Sequence, residues 1–157
     1  HEQGWMHGDV KPANIMISPA GHATLLDLGF AKRRSEDASA AARAVMGTCN
    51  YLAPEVLSSR IRADIRSDLY SLGVILFEAL AGRLPFVART MPELISQHQT
   101  LPPPDLKRLA PQTPDAVADL VRRLLAKEPL RRPQTPAELV EQLVELEIAT
   151  FSERALA

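Results

Sequence analysis

The sequence predicts a mainly α-helical domain with one short β-hairpin. Three observations carry that expectation. Val117, Leu120, Val121, Leu124 and Leu125, and later Leu139, Val140, Leu143, Val144 and Leu146, recur at helical spacing. Residues 69–81 are apolar on nearly every side, the pattern of a helix buried within a core. Only Ile15-Met16-Ile17 and Ala23-Thr24-Leu25-Leu26 read as strands, and Ser18-Pro19-Ala20-Gly21 between them is a turn.

The elements follow in order. Residues 1–6 read as the tail of a helix stopped at Gly4, with Trp5 expected in the core. After the hairpin, residues 27–55 show little periodicity and read as a long mobile segment, polar and Ala-rich in the middle. Residues 54–58 are a short helix. Ser67 or Asp68 is the expected cap of the central helix, residues 67–81, which stops at Gly82 with Pro85 close behind. A further helix is expected over residues 92–98, and Leu101-Pro102-Pro103-Pro104 is an extended connector. Thr113-Pro114-Asp115 opens a helix over residues 114–126. Thr135-Pro136-Ala137-Glu138 has the form of a capping box and opens another over residues 136–148, leaving residues 150–157 as a frayed tail.

Composition narrows the function classes. The 157 residues are 46% hydrophobic and 24% charged, with a formal net charge of −1, as in an ordinary globular domain. That balance gives no globally basic surface for nucleic acid. Cys49 is the only cysteine, so neither an intramolecular disulfide nor a multi-cysteine zinc site is available, and a cytoplasmic setting is expected. The apolar stretch at residues 69–81 is interrupted by Tyr70, Ser71 and Glu78 and falls short of the roughly 18 apolar residues that a membrane helix needs. The chain starts with His1 and no secretory signal pattern follows, so it reads as part of a longer polypeptide.

The chemistry concentrates in His7-Gly8-Asp9-Val10-Lys11-Pro12-Ala13-Asn14 and, across the hairpin, Asp27-Leu28-Gly29. Two carboxylates, an ammonium and an amide at the ends of one hairpin suit a magnesium-bound phosphate, because magnesium prefers oxygen ligands and lysine supplies a point charge. The same residues would also suit a turn in which Asp9 and Asn14 satisfy backbone donors. Residue type alone leaves both readings open.

Spacing adds a resemblance. Residues 7–14 resemble the protein-kinase catalytic loop, and Asp27-Leu28-Gly29 resembles its D-F-G element. In the family's order there follow Gly47-Thr48-Cys49-Asn50-Tyr51-Leu52-Ala53-Pro54-Glu55, similar to the segment ending in A-P-E, and Asp68-Leu69-Tyr70-Ser71-Leu72-Gly73, similar to the start of the central helix. Lys127-Glu128-Pro129-Leu130-Arg131-Arg132-Pro133 resembles the late R-P element. The resemblance implies the large, helical lobe of a protein kinase over residues 1–149, with catalytic loop 7–14 and activation segment 27–55. The wording is closest to bacterial serine/threonine kinases.

What the resemblance implies for each residue is specific. Asp9 would orient the acceptor hydroxyl and take its proton, and Lys11 would neutralise the transferred phosphoryl group. Asn14 and Asp27 would hold magnesium, Met16 would lie beneath the adenine of ATP, and Thr48 would shape the acceptor site. His7 would pack near Asp27, and Leu28 and Gly29 would support that turn. Asp68 would brace the catalytic loop, and Glu55 would pair with Arg132. The implied reaction is magnesium-dependent transfer of the ATP γ-phosphoryl group to a Ser or Thr of a protein substrate. Alternatives are a pseudokinase-type binding module and a small-molecule kinase of the aminoglycoside or choline type. The Ala53-Pro54-Glu55 segment and Lys11-Pro12 speak against the small-molecule kinases, and the complete Asp9, Lys11, Asn14 and Asp27 set speaks against the pseudokinase.

Two departures matter. Gly8 stands where many kinases carry an arginine that receives an activation-segment phosphate, so phosphorylation of Ser35 or Ser39 is expected to be dispensable. None of the seven glycines lies in a G-x-G-x-x-G loop, and no lysine follows a Val-Ala-Ile strand. The upper lobe of such a kinase is therefore expected elsewhere in the same polypeptide, and these 157 residues alone are expected to be inactive.

Overall fold

The computed structural model describes residues 5–27, 32–33, 49–58 and 63–155. Leu28, Gly29 and Thr48, with most of the expected activation segment, lie outside the described residues.

The described residues begin with strand β1 (Trp5–Met6), so residues 5–6 are not helical, and the rest of the helix tail expected over residues 1–6 lies outside the described residues. Strand β1 pairs antiparallel with β4 (Lys32–Arg33), so that Trp5 faces Arg33 and Met6 faces Lys32. Two residues give no readable periodicity, and the pairing depends on a partner far along the chain. Trp5 is 41% exposed rather than part of the core. The hairpin is formed by β2 (Ile15–Ile17) and β3 (Ala23–Leu25), in the register Ile15–Leu25, Met16–Thr24 and Ile17–Ala23. A single turn of 3-10 helix (Pro12–Asn14) leads into it.

The remainder is helical. Helix α1 (Pro54–Ser58) precedes the long α2 (Ile65–Ala81). The cap of α2 is Asp64, whose carboxylate accepts from Arg66 N–H at 2.9 Å, so the helix starts earlier than residue 67. Ser67 and Asp68 are not caps. Both are buried inside the first turns, where Ser67 bonds Glu55 and Asp68 bonds the catalytic-loop backbone. The apolar residues of α2 are not all covered, since Ile75, Leu76 and Leu80 are half-buried and Ala79 is exposed.

Helix α3 (Met91–Thr100) is capped by Thr90, starts one residue before and ends two residues after the expected 92–98. After the proline connector comes a short α4 (Leu106–Leu109), which the proline-rich sequence around it conceals. Helix α5 (Asp115–Leu124) follows Pro114, and Thr113 contributes no cap. Its hydroxyl is buried without a hydrogen-bond partner among the described residues. Helix α6 (Pro136–Ala155) runs past residue 148 into the stretch expected to fray. At its start Glu138 N–H donates to Thr135 Oγ1 at 3.1 Å, and the Glu138 carboxylate reaches back to Gln134 N–H at 2.7 Å.

Helix α2 organises the interior. One side carries Tyr70, Val74 and Phe77 against Leu106, Ala110, Val121 and Leu125, and another carries Leu69 against Leu120, Leu124 and Leu139. The α2–α5 crossing is close at Gly73, where an added Cβ would lie 2.7 Å from Leu124 Cβ and 3.3 Å from Leu124 backbone carbon. Backbone on a packed helix does not yield. Gly73→Ala is therefore expected to cost about 1–3 kcal/mol of stability, read as a lowered midpoint in thermal melting followed by circular dichroism. An unchanged midpoint would show that α5 shifts freely. Among the described residues no helix is long and apolar enough to cross a membrane.

Candidate active site

The site is built where residues 7–14 run between the two small sheets and rest on the first turns of α2. Asp68 ties them down: its carboxylate accepts from His7 N–H at 2.7 Å and from Gly8 N–H at 2.9 Å. Burial raises the Asp68 pKa, and these two N–H groups work against that rise by stabilising the charged form. Gly8 has φ 78°, a left-handed backbone that a side chain would strain, which accounts for glycine at this turn.

His7 is buried and bridges outward. Its Nδ1 lies 3.3 Å from Asp9 N–H, which donates to it, so the ring proton sits on Nε2 and is given to the Leu26 carbonyl at 3.0 Å. This ring joins the catalytic-loop stretch to the end of β3. A second link is Leu26 N–H to the Asn14 carbonyl at 2.7 Å, which brings residue 27 out of the hairpin alongside Asn14. Asp27 then takes φ 62°, the one left-handed non-glycine among the described residues. Aspartate tolerates that region better than most side chains do.

Asp9 is 6% exposed, yet its carboxylate is well partnered. Lys11 Nζ lies 2.8 Å from Oδ2, and Asn14 Nδ2 donates to the same oxygen at 3.0 Å and to the Asp9 carbonyl at 2.8 Å. With its amide nitrogen so committed, Asn14 presents its amide oxygen as the remaining acceptor. An amide oxygen from Asn14 and a carboxylate from Asp27 would make a hard oxygen donor set, the chemistry that magnesium accepts when it takes a single carboxylate beside water and phosphate. The residues fit the ion. Among the described residues no group of three or more His, Cys, Asp and Glu side chains is arranged to hold a metal on its own.

The edge of the hairpin is apolar and open. Met16 is 52% exposed, with Ile17, Leu25 and Leu26 exposed beside it. On the other side of the catalytic loop, α1 is fixed by Glu55. Arg132 meets it with two parallel bonds, Nη1 to Oε1 at 2.6 Å and Nη2 to Oε2 at 2.8 Å, and Ser67 Oγ adds a third at 2.8 Å. Cys49 is buried in a cluster with Phe86 and Leu94, and burial pushes its thiol pKa up, away from reactivity.

The structure thus brings Asp9, Lys11, Asn14, His7 and Asp68 into one connected group, and places Glu55 and Arg132 in another. Two contacts escape motif reading. Tyr51 donates its hydroxyl to Glu78 Oε2 at 2.8 Å, tying the segment before α1 to the last turn of α2; burial and Glu78 raise the phenol to about 12. His98, which carries no sequence argument, is fully buried against Tyr70. An apolar neighbourhood at helical spacing around a lone histidine is the only signal the sequence offers for it.

Comparison with known proteins agrees with this geometry. Residues 1–144 match the profile of the protein kinase domain. The chain is 40% identical over 151 residues to serine/threonine-protein kinase pkn2 of Myxococcus xanthus, covering 91% of this chain and 18% of that protein. It is 40% identical over 147 residues to the serine/threonine-protein kinase PknB of Mycolicibacterium smegmatis, covering 92% and 23%. It is 32% identical over 139 residues to PrkC of Bacillus subtilis, covering 88% and 21%. The chain therefore spans about a fifth of the length of these bacterial relatives. A helical lobe braced on α2, a hairpin-flanked loop bearing Asp9, Lys11 and Asn14, and a profile match over 144 residues lead to one assignment: the chain belongs to the protein kinase family.

Proposed function

We propose that this chain is the large lobe of a bacterial serine/threonine protein kinase, and that it supplies the acceptor side and the metal-holding side of phosphoryl transfer from ATP to a protein Ser or Thr. The observation that carries the reading is the Asp9–Lys11–Asn14 cluster, in which one nearly buried carboxylate is held between an ammonium and an amide.

In this reading Asp9 orients the incoming hydroxyl and accepts its proton at a carboxylate oxygen, while the hydroxyl oxygen bonds the γ-phosphorus and the bond from that phosphorus to the β,γ-bridging oxygen breaks to release ADP. Lys11, 2.8 Å from Asp9, would share its charge between that carboxylate and the phosphoryl oxygens. Asn14 fixes the Asp9 carboxylate through Nδ2 and, together with Asp27, would hold magnesium. When bound, the ion supplies charge neutralisation for the phosphates. Met16 and its apolar neighbours offer a surface for the adenine ring. Thr48 would complete the acceptor site. His7, Asp68, Leu28 and Gly29 would keep the loop and the turn after β3 in register.

A kinase also needs donors over the ATP phosphates, and this sequence has no glycine-rich loop to supply them. The isolated chain is therefore inactive in this reading, and the rest of the site comes from an upper lobe in the same polypeptide. The test is phosphoryl transfer by the full-length gene product from labelled ATP to peptides bearing Ser, Thr or Tyr, with magnesium or with EDTA. Transfer to Ser and Thr is expected, and it should disappear with EDTA and in Asp27→Asn. A Tyr preference, or efficient transfer by residues 1–157 alone, would overturn the corresponding part of the proposal.

A further inference from the structure

Helix α3 is anchored to the core by a histidine that the chemistry above does not use. His98 lies in its last turn with no solvent exposure. Its Nδ1 is 2.9 Å from the hydroxyl of Tyr70, itself fully buried on α2. Burial raises the phenol pKa, so Tyr70 keeps its proton and donates it, which leaves the histidine's own proton on Nε2. Nε2 makes no close hydrogen bond among the described residues, and the Asn50 backbone lies within electrostatic reach of the ring.

The surroundings require this ring to be neutral. Its centroid is 4.9 Å from that of Phe86, and the Lys127 ammonium lies 4.1 Å from the same Phe86 ring. The Arg132 guanidinium lies 4.9 Å from the Tyr70 ring. Burial and the Lys127 charge lower the His98 pKa to about 4, with the Asn50 backbone acting the other way. A neutral ring with one accepting nitrogen is a fixed hydrogen-bond partner at neutral pH, not a switch.

The same face of α3, one turn earlier, carries the acceptor side. Cys49 packs with Leu94 of α3 and with Phe86, and Leu52 and Leu57 lie against the same cluster. The chain of contacts runs from Tyr70 through His98 and Phe86 to Cys49, so the turn before α1 rests on a helix whose placement the Tyr70–His98 bond sets. We infer that His98 is a positioning residue for acceptor binding: by bonding Tyr70 it holds α3 and Phe86 where they support residues 49–57. This inference rests on the kinase reading.

The test uses the full-length gene product with dephosphorylated casein as acceptor, measuring KM for casein and for ATP separately. His98→Phe keeps a ring but loses the accepting nitrogen, His98→Asn places an amide oxygen near Nδ1, and Tyr70→Phe removes only the donor. Expected results are a roughly five-fold rise in casein KM for His98→Phe and for Tyr70→Phe, with ATP KM held within about two-fold. His98→Asn should recover most of the loss, and the Tyr70→Phe/His98→Phe pair should be no worse than either single change. Amide exchange over residues 49–57 should quicken in Tyr70→Phe, a variant that changes no side-chain volume beyond one oxygen. Equal rises in both KM values, or a His98→Asn no better than His98→Phe, would overturn the positioning role. A wild type that transfers no phosphoryl group to any protein overturns the kinase reading instead, while faster exchange at residues 49–57 in Tyr70→Phe still supports the mechanical link.

Discussion

Arg132→Ala is expected to destabilise the fold by about 3–5 kcal/mol, the cost typical of removing one member of a buried ion pair. All five N–H donors of this guanidinium are engaged. Two go to Glu55, and the others to the carbonyls of Ala126, Arg66 and Lys127. The side chains of Arg132 and Glu55 are 0% and 2% exposed, so bulk water does not screen the pair. Truncation leaves the Glu55 carboxylate with Ser67 as its one remaining hydrogen-bond donor among those described above, and three carbonyls without their partner. Arg132→Lys should recover little, because an ammonium cannot present the planar fork that meets both carboxylate oxygens.

The control for this experiment lies next door. Arg131 bonds Glu128 on the surface at 3.0 Å with 73% of its side chain exposed, and Arg131→Ala should change stability by less than about 0.5 kcal/mol. Urea denaturation followed by circular dichroism compares the two. If Arg132→Ala unfolded at the same urea concentration as Arg131→Ala, the buried pair would contribute no more than a surface pair, and the structural weight given to it would be wrong.

The second large effect falls on turnover. Asp9→Asn in the full-length gene product is expected to lower phosphoryl transfer by roughly 10²- to 10⁴-fold, the usual contribution of a positioned general base. The substitution is nearly isosteric. An amide oxygen can still accept from Asn14 Nδ2, now 3.0 Å from Oδ2, so the loop should hold its shape, while the charge facing Lys11 at 2.8 Å is lost. The loss should therefore appear in kcat, with KM for ATP and the thermal midpoint little altered. Turnover within a few-fold of wild type would remove Asp9 from the proton path. A fall in the thermal midpoint matching the fall in rate would assign the residue to the fold rather than to the reaction.

Much of the architecture is legible in local pattern. The hairpin follows from two short apolar runs around a Pro-Ala-Gly turn, and helices α3, α5 and α6 follow from spacing and proline placement. Boundaries are less legible, because capping depends on which side chain reaches a free N–H. Ser67 and Asp68 look like caps in the sequence, yet Asp64 takes that role since the other two are drawn inward to Glu55 and the catalytic loop. Thr113 fails as a cap for a different reason: it is buried where its hydroxyl meets no helix N–H.

The candidate site divides along the same line. Asp9, Lys11 and Asn14 lie within six residues, so their spacing already implies that they meet, and the ordered motifs that follow place the chain in its family. Strand β1, the burial of His98 against Tyr70 and the bond between Tyr51 and Glu78 have no such local signature. By itself the sequence determined the helical class, the hairpin and most of the helices, and it singled out the candidate site residues, because periodicity and motif spacing are properties of neighbours along the chain. Only the tertiary structure decided what holds those residues in place. The brace from Asp68 to His7 spans 61 positions and the pair of Glu55 with Arg132 spans 77, and such contacts exist only once α2 has packed and excluded water from between them.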